Sequence, residues 1–311
     1  MLEQRRVWVD GSLRPFAEAT VHVLAQSVQR GTAVFDVLSV HELPAGPAAL
    51  GLREHVARFG HSMEAMGMEP AFGVAALERA VAETVLANPG TDLVKLTACF
   101  AETTLDAMPA SLVPQLTVAA LAHTDFPRLS RRPGGLRLRT ATAPKLPGST
   151  LPPGVKVAAS YTIGFRERLV AQRGGWDDVL FRTPAGDLAE STTTSLFVVR
   201  GHSVVAPPLD IVLDGIMRRA AVDVARNAGL HVEVRPVSWT EVEEADELFV
   251  TSTTRLAVPV ADLDGRPYPD PGPVTTLVAA DLERLVLDDH PSSRRWLTPL
   301  RPLVEAGAAG G

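Results

Sequence analysis

Between His123 and Gly135 the sequence holds two prolines, two glycines and the cluster Arg128-Leu-Ser-Arg131-Arg132, and it breaks the apolar patterns on either side. A stretch of that composition favours an exposed connection, so the chain is constrained to fold as two units, each with its own core. The 311 residues are enough for two such cores. The boundaries expected are a smaller N-terminal domain over 1–122, a linker or lid over 123–135 and a larger domain over 136–299. A C-terminal tail over 300–311 is expected to lack structure, because it ends in alanine and glycine.

Both halves mix the two apolar periods. In the first, Arg6 to Arg14 is a hairpin broken at Asp10-Gly11, Thr32 to Val40 reads as a buried strand, and Pro44 to Pro47 as a turn. Leu52, Val56, Phe59, Met63 and Met66 fall at helical spacing, and a second helix fits Val74 to Leu86 before Asn88-Pro89-Gly90. Strands over Leu93–Phe100 and Gln115–Ala122 follow. The second half predicts strands at Leu136–Ala143, Val179–Arg182, Leu196–Val199, Ser203–Ala206, Val232–Val237 and Glu247–Thr251. Helices are predicted over Thr162–Gln172, Gly215–Ala228 and Pro273–Leu287. The fold class is α+β.

Composition narrows the function. A net charge of −6 argues against a partner bound through a broad basic face, nucleic acid included. With Cys99 as the single cysteine there is no internal disulfide, and a reducing, cytoplasmic setting is the simpler expectation. No signal-peptide run and no window of 18 apolar residues is present. Gly-x-Gly-x-x-Gly, the P-loop, Gly-x-Ser-x-Gly and metal-binding His or Cys spacings are absent, so no metal is expected.

What remains is a set of anion-binding features and one unusual trio. Arg58 lies on the first long helical pattern. Leu213-Asp-Gly-Ile-Met-Arg-Arg219 runs into a helix start, where free N–H groups favour an anion. Ser252-Thr253-Thr254 offers hydroxyls just after a strand. The trio is Lys156, Tyr161 five residues on, and Glu190 entering a Ser/Thr run. Taken singly, these are compatible with a snorkelling lysine, a core ring with a wet hydroxyl and a loop acid.

In order and spacing the set resembles the class IV pyridoxal-phosphate aminotransferases. That fold-type IV group holds the branched-chain aminotransferases, D-amino-acid transaminases and aminodeoxychorismate lyases. The resemblance spans Val7 to Pro299. It is carried by Gln29-Arg-Gly-Thr-Ala-Val-Phe-Asp36, Arg53-Glu-His-Val-Ala-Arg58-Phe, Lys156-x4-Tyr161 and Leu188-Ala-Glu190-x5-Leu-Phe197. Leu213-x-Gly-Ile-x-Arg218, Ala245-Asp-Glu-Leu-Phe-Val-Thr-Ser-Thr253 and Trp296-Leu-Thr-Pro299 complete it.

The resemblance implies a small α/β domain, a larger one with a pseudo-barrel of strands, and pyridoxal 5′-phosphate as cofactor. By it, Lys156 would form the Schiff base and shuttle a proton, Glu190 would face the pyridine nitrogen and Tyr161 the phenolic oxygen. Arg58, Thr253 and the backbone at Ile216 and Met217 would hold the phosphate. The implied reaction is ping-pong transfer between an amino donor and a 2-oxo acid in a homodimer. A lyase or D-amino-acid variant on the same cofactor, or a catalytically silent homologue, is the alternative.

The substrate side departs from the family. Arg30 stands where branched-chain members usually have tyrosine. Leu93 and Lys95 replace a tyrosine and an arginine, Ala98 stands at the D-amino-acid members' arginine, and Met217 replaces a threonine. Arg30, Phe35, Lys95 and Thr254 are the candidate substrate residues, and Arg30 with Lys95 could form a different clamp for an acidic group.

Overall fold

The computed structural model describes residues 2–125 and 134–308. The arginine cluster at 128–132 lies outside the described residues.

In the N-terminal half the hairpin β1 (Arg6–Val9) and β2 (Ser12–Pro15) turns at Asp10-Gly11, both at positive φ. The short α1 (Gln26–Arg30) follows. Next come β3 (Val34–Leu43), β4 (Gly46–Leu50), the helices α2 (Leu52–Ala65) and α3 (Val74–Leu86), β5 (Leu93–Cys99) and β6 (Gln115–Leu121). All pairings among these strands are antiparallel. Burial alternates along β6, as expected of a sheet with one face on a core and one facing out. Phe59, Val56, Leu77 and Val81 of the two helices pack on Leu38, Leu96, Leu116 and Val118.

The C-terminal half opens with β7 (Leu136–Thr140), α4 (Tyr161–Arg173), β8 (Asp178–Arg182), β9 (Leu188–Ser191), β10 (Ser195–Arg200) and β11 (Ser203–Ala206). It continues with α5 (Ile216–Asn227), β12 (His231–Val234), α6 (Trp239–Glu243), β13 (Glu247–Ser252), β14 (Leu256–Leu263), β15 (Arg266–Pro267) and α7 (Pro273–Val286). Strands run β12-β11-β10-β13-β14-β7-β8-β9, with β15 beside β14. β7–β8 and β11–β12 are parallel pairs, joined across by α4 and α5 as parallel pairing requires. Only residues 192–194 separate the outer strand β9 from β10. The row therefore curls back toward its own middle as a half-barrel, filled by Leu138, Leu180, Leu196, Leu248, Val250 and Val260.

Several elements were not expected. β4, β9 and β14 fill stretches read as a turn, a loop and no defined element. The chain beyond α7 forms α8 (Ser293–Trp296), β16 (Leu297–Pro299) and α9 (Arg301–Ala308). β16 pairs with β4, placing Leu297 opposite Leu50, so the last strand belongs to the N-terminal sheet. The tail expected to lack structure is instead helical over Arg301–Ala308: Leu303 and Val304 pack on the N-terminal core beside buried Leu300, which supplies an apolar face that composition alone did not reveal.

The two halves meet where α2 and α5 begin. Gly51 sits at φ +61°, and a Cβ there would lie 2.6 Å from Ile216 Cγ2, so only glycine allows this approach.

Candidate active site

A cavity of about 130 Å³ lies at this junction. Arg58, Lys156, Tyr161, Glu190, Ile216, Met217 and Thr253, seven residues spread over almost 200 positions of sequence, all line it.

Lys156 is held from both sides of its backbone. Its N–H donates to Ser62 Oγ at 3.0 Å, and its carbonyl accepts from the Phe35 N–H at 3.1 Å. The side chain points into the cavity and donates from Nζ to Tyr161 Oη at 2.6 Å. Tyr161 is the first residue of α4 and directly follows the 3-10 turn Ala158–Ser160, which is why a spacing of five brings the two side chains together. Phe35 supports both: its ring lies 5.1 Å from the Tyr161 ring and 4.9 Å from Lys156 Nζ.

At one end of the cavity is an anion cup. The first backbone bond of α5 runs from the Arg219 N–H to the Gly215 carbonyl, so the N–H groups of Ile216 to Arg218 have no partner within the helix. Arg58 approaches from α2. It donates through Nε and Nη2 to both oxygens of Asp36 at 2.8 and 2.7 Å, and through Nη1 to the Asp214 carbonyl at 2.8 Å. Two of its five N–H groups stay free of these bonds. Asp36 is fully buried and also meets His55 Nδ1 at 2.7 Å. Burial alone would raise its pKa, but the Arg58 charge and then His55 outweigh it, and Asp36 stays ionised far below the ordinary carboxylate range. Burial lowers the His55 pKa against the pull of Asp36. Thr253 Oγ1 completes the cup and donates to the Val37 carbonyl at 3.2 Å.

Glu190, also on the cavity lining, sits on β9 with its side chain 9% exposed. Its carboxylate accepts from the Leu213 N–H at 3.3 Å to each oxygen, and Oε1 pairs with Lys145 Nζ. Among the cavity-lining residues, Ser191 Oγ, Thr194 Oγ1, Arg218 Nε and Thr251 Oγ1 are buried without a hydrogen-bond partner. With an arginine and free helix N–H groups, an amine, a carboxylate and unsatisfied donors on its wall, the cavity has the polar groups that could hold a phosphorylated polar ring.

The substrate candidates are placed differently. Lys95 holds its Nζ 5.1 Å from the Phe35 ring, on the ring that also carries Lys156. Desolvation at its ammonium, and then the Lys156 charge, lower its pKa from the ordinary lysine value. Arg30 is exposed and donates to the Leu105 carbonyl at 3.2 Å, and Thr254 lies within 3.4 Å of Ser252; neither lines the cavity.

The profile of the family described as amino-transferase class IV matches residues 33–263. The chain belongs to that family. As a class IV aminotransferase it is similar over most of its length to branched-chain members. It is 28% identical over 249 residues, 79% of this chain and 83% of the relative, to a probable branched-chain-amino-acid aminotransferase of Rickettsia bellii. The branched-chain-amino-acid aminotransferase of Pseudomonas aeruginosa is 23% identical over 295 residues, 94% of this chain and 96% of that protein. The structure superposes on a branched-chain amino acid aminotransferase (T.th.) with pyridoxamine 5′-phosphate at a TM-score of 0.90, with 28% identity. That match covers 97% of this chain and 100% of the other. A branched-chain aminotransferase from Thermoproteus uzoniensis with norvaline matches at 0.89 and 25% identity, covering 95% and 99%.

Sequence reasoning missed four members of the site. Asp36 and His55 stand inside quoted motifs, but their pairing needed the fold. Arg218 was seen only as part of a helix start. Lys145 carried a signal that went unused: of 30 basic residues only Lys95, Lys145 and Lys156 are lysines. Two of the three line one cavity, and the third shares Phe35 with Lys156.

Among the described residues no group of three His, Cys, Asp or Glu could hold a metal, and no helix is long and apolar enough to cross a membrane.

Proposed function

We propose that this class IV aminotransferase uses pyridoxal 5′-phosphate to move an amino group from an amino donor to a 2-oxo acid by a ping-pong route. The donor gives up its nitrogen and leaves as an oxo acid before the acceptor enters. The observation that carries the reading is the 2.6 Å contact of Lys156 Nζ with Tyr161 Oη in a cavity that Arg58, the start of α5 and the buried Glu190 carboxylate also line.

When bound, the cofactor supplies an aldehyde that takes up an amine and a ring that spreads the electrons left when a Cα loses its proton. The residues do the rest. Arg58, Thr253 and the N–H groups of Ile216 and Met217 hold the phosphate. Lys156 Nζ would be the nucleophile toward the aldehyde and would carry the proton between the substrate Cα and the cofactor's aldehyde carbon. An arginine could not serve there, because its guanidinium does not give up its proton. Tyr161 donates to or accepts from the phenolic oxygen, and Glu190 faces the ring nitrogen as an acceptor. Phe35 closes the Lys156 side with an apolar face. Lys95, whose ammonium shares the Phe35 ring with Lys156, takes the substrate carboxylate.

A homodimer, as the resemblance implies, is supported by Val23, Val28, Leu105 and Met108, apolar side chains 73, 57, 79 and 67% exposed around α1 and the loop beyond β5.

The test is spectroscopic. After reconstitution with pyridoxal 5′-phosphate, the bound visible band is expected to bleach on addition of an amino donor and to return with a 2-oxo acid. Pyruvate release without an acceptor would instead favour a lyase. A protein that gains no band would contradict the proposal.

A further inference from the structure

The Lys145–Glu190 pair is not called for by the roles above. Lys145 lies eleven residues before Lys156 in the proline-rich run Pro144 to Pro153, and its backbone N–H donates to the Arg182 carbonyl at 2.8 Å. That bond ties it to β8, the neighbour of β9, and sets its ammonium against Glu190 Oε1. The two side chains are 25 and 9% exposed, so the pair is largely withdrawn from solvent. Lysine is also a choice here: the chain uses arginine at all but three of its basic positions.

The other charged groups facing Glu190 are few. Arg218, buried at the start of α5, acts on it at longer range. Lys156, Tyr161 and Arg58 line the same cavity without a hydrogen bond or ion pair to Glu190. Glu190 lines the cavity, and its Oε2 accepts only the 3.3 Å Leu213 N–H, which leaves that oxygen capacity for a further donor.

We infer that Lys145 is a positioning residue that shares the Glu190 carboxylate with the cofactor's ring nitrogen. Oε1 stays on Lys145, Oε2 receives the ring N–H, and the lysine charge offsets part of the carboxylate's pull on the ring proton. The consequence follows from Coulomb's law. Two cations on one carboxylate repel, so Lys145 moderates how strongly the site prefers a protonated ring nitrogen over a neutral atom at that position. This inference rests on the cofactor assignment proposed above.

The test compares dissociation constants of pyridoxal 5′-phosphate and its 1-deaza analogue, in which the ring nitrogen is replaced by C–H. It is run on the full-length protein as purified, for wild type, Lys145→Met and Lys145→Arg. The ratio of the two constants cancels any change in the cofactor-free protein. In Lys145→Met the ratio is expected to shift by about ten-fold in favour of the natural cofactor, because Glu190 then has no other contact partner of opposite charge. Lys145→Arg is expected to keep the wild-type ratio. A purely structural Lys145 would weaken both ligands alike; an unchanged ratio in Lys145→Met, or in Lys145→Gln should the methionine variant not fold, overturns the inference. Tight binding with an unchanged ratio removes this inference alone, whereas no binding to wild type removes it together with the cofactor assignment.

Discussion

Asp36 and Arg58 form a two-pronged ion pair of 2.7 and 2.8 Å that joins β3 to α2, and the same guanidinium reaches the Asp214 carbonyl across the junction of the two halves. One side chain thus links the N-terminal core to the loop that opens the anion cup. Because Asp36 is fully buried, the pair is a commitment as well as a link: removing one partner leaves the other charged and unmatched.

Asp36→Asn is therefore expected to lower stability by about 3 kcal/mol and to weaken phosphate-end binding of the cofactor. Lowering pH should not mimic it. A carboxylate held below its unfolded pKa contributes stability that is present above the unfolded value and is lost only as pH falls through the folded one, far below the working range. Denaturant midpoints at pH 7 for wild type and variant check the size; equal midpoints would contradict the structural role.

His41 gives a dependence of the same sign in a higher pH window. It lies on β3 with Nε2 3.0 Å from Ser39 Oγ, and burial lowers its pKa to about 4 against an opposing pull from Asp92. A histidine depressed in the fold binds fewer protons there than when unfolded. Its contribution is complete above about pH 6.5 and is lost as pH falls toward 4. His41→Gln is expected to remove about 2 kcal/mol of the stability change between pH 7 and pH 4. His55, depressed for the same reason, adds to the same limb and keeps the variant from being flat. Urea titrations at pH 7, 5.5 and 4 give the slope.

Under the proposed function, Lys95 bears on the substrate rather than the cofactor. Its ammonium lies above the face of Phe35, beside Lys156 and outside the cavity wall. Lys95→Met is expected to raise KM for the amino donor about ten-fold, with kcat and cofactor affinity within about two-fold of wild type. A variant that loses cofactor instead would contradict a role at the substrate.

Much of this was readable from the residues. The long periodic segments gave α2, α3, α5 and α7 to within a residue or two, because amphipathic helices of three or more turns carry a redundant signal. Short buried strands do not: β9 is Leu-Ala-Glu-Ser with every position buried, so it has no alternation to read, yet it carries Glu190. β16 and α9 depend on contacts with residues more than two hundred positions away, which no local period encodes. The same limit applied at the site. Lys156 and Tyr161 share one turn of chain and were visible as a pair, whereas Asp36 with Arg58, and Lys145 with Glu190, are joined only by the fold.

Everything proposed for the site depends on Lys156 being the amine that bonds the cofactor aldehyde. With only three lysines in the chain, one measurement addresses it. The protein is reconstituted with pyridoxal 5′-phosphate, reduced with borohydride, digested and mapped by mass spectrometry. A phosphopyridoxyl group is expected on the peptide containing Lys156, and is expected to be lost in Lys156→Ala. A label carried by Lys145 or Lys95 in the wild-type protein, or none at all, would contradict it.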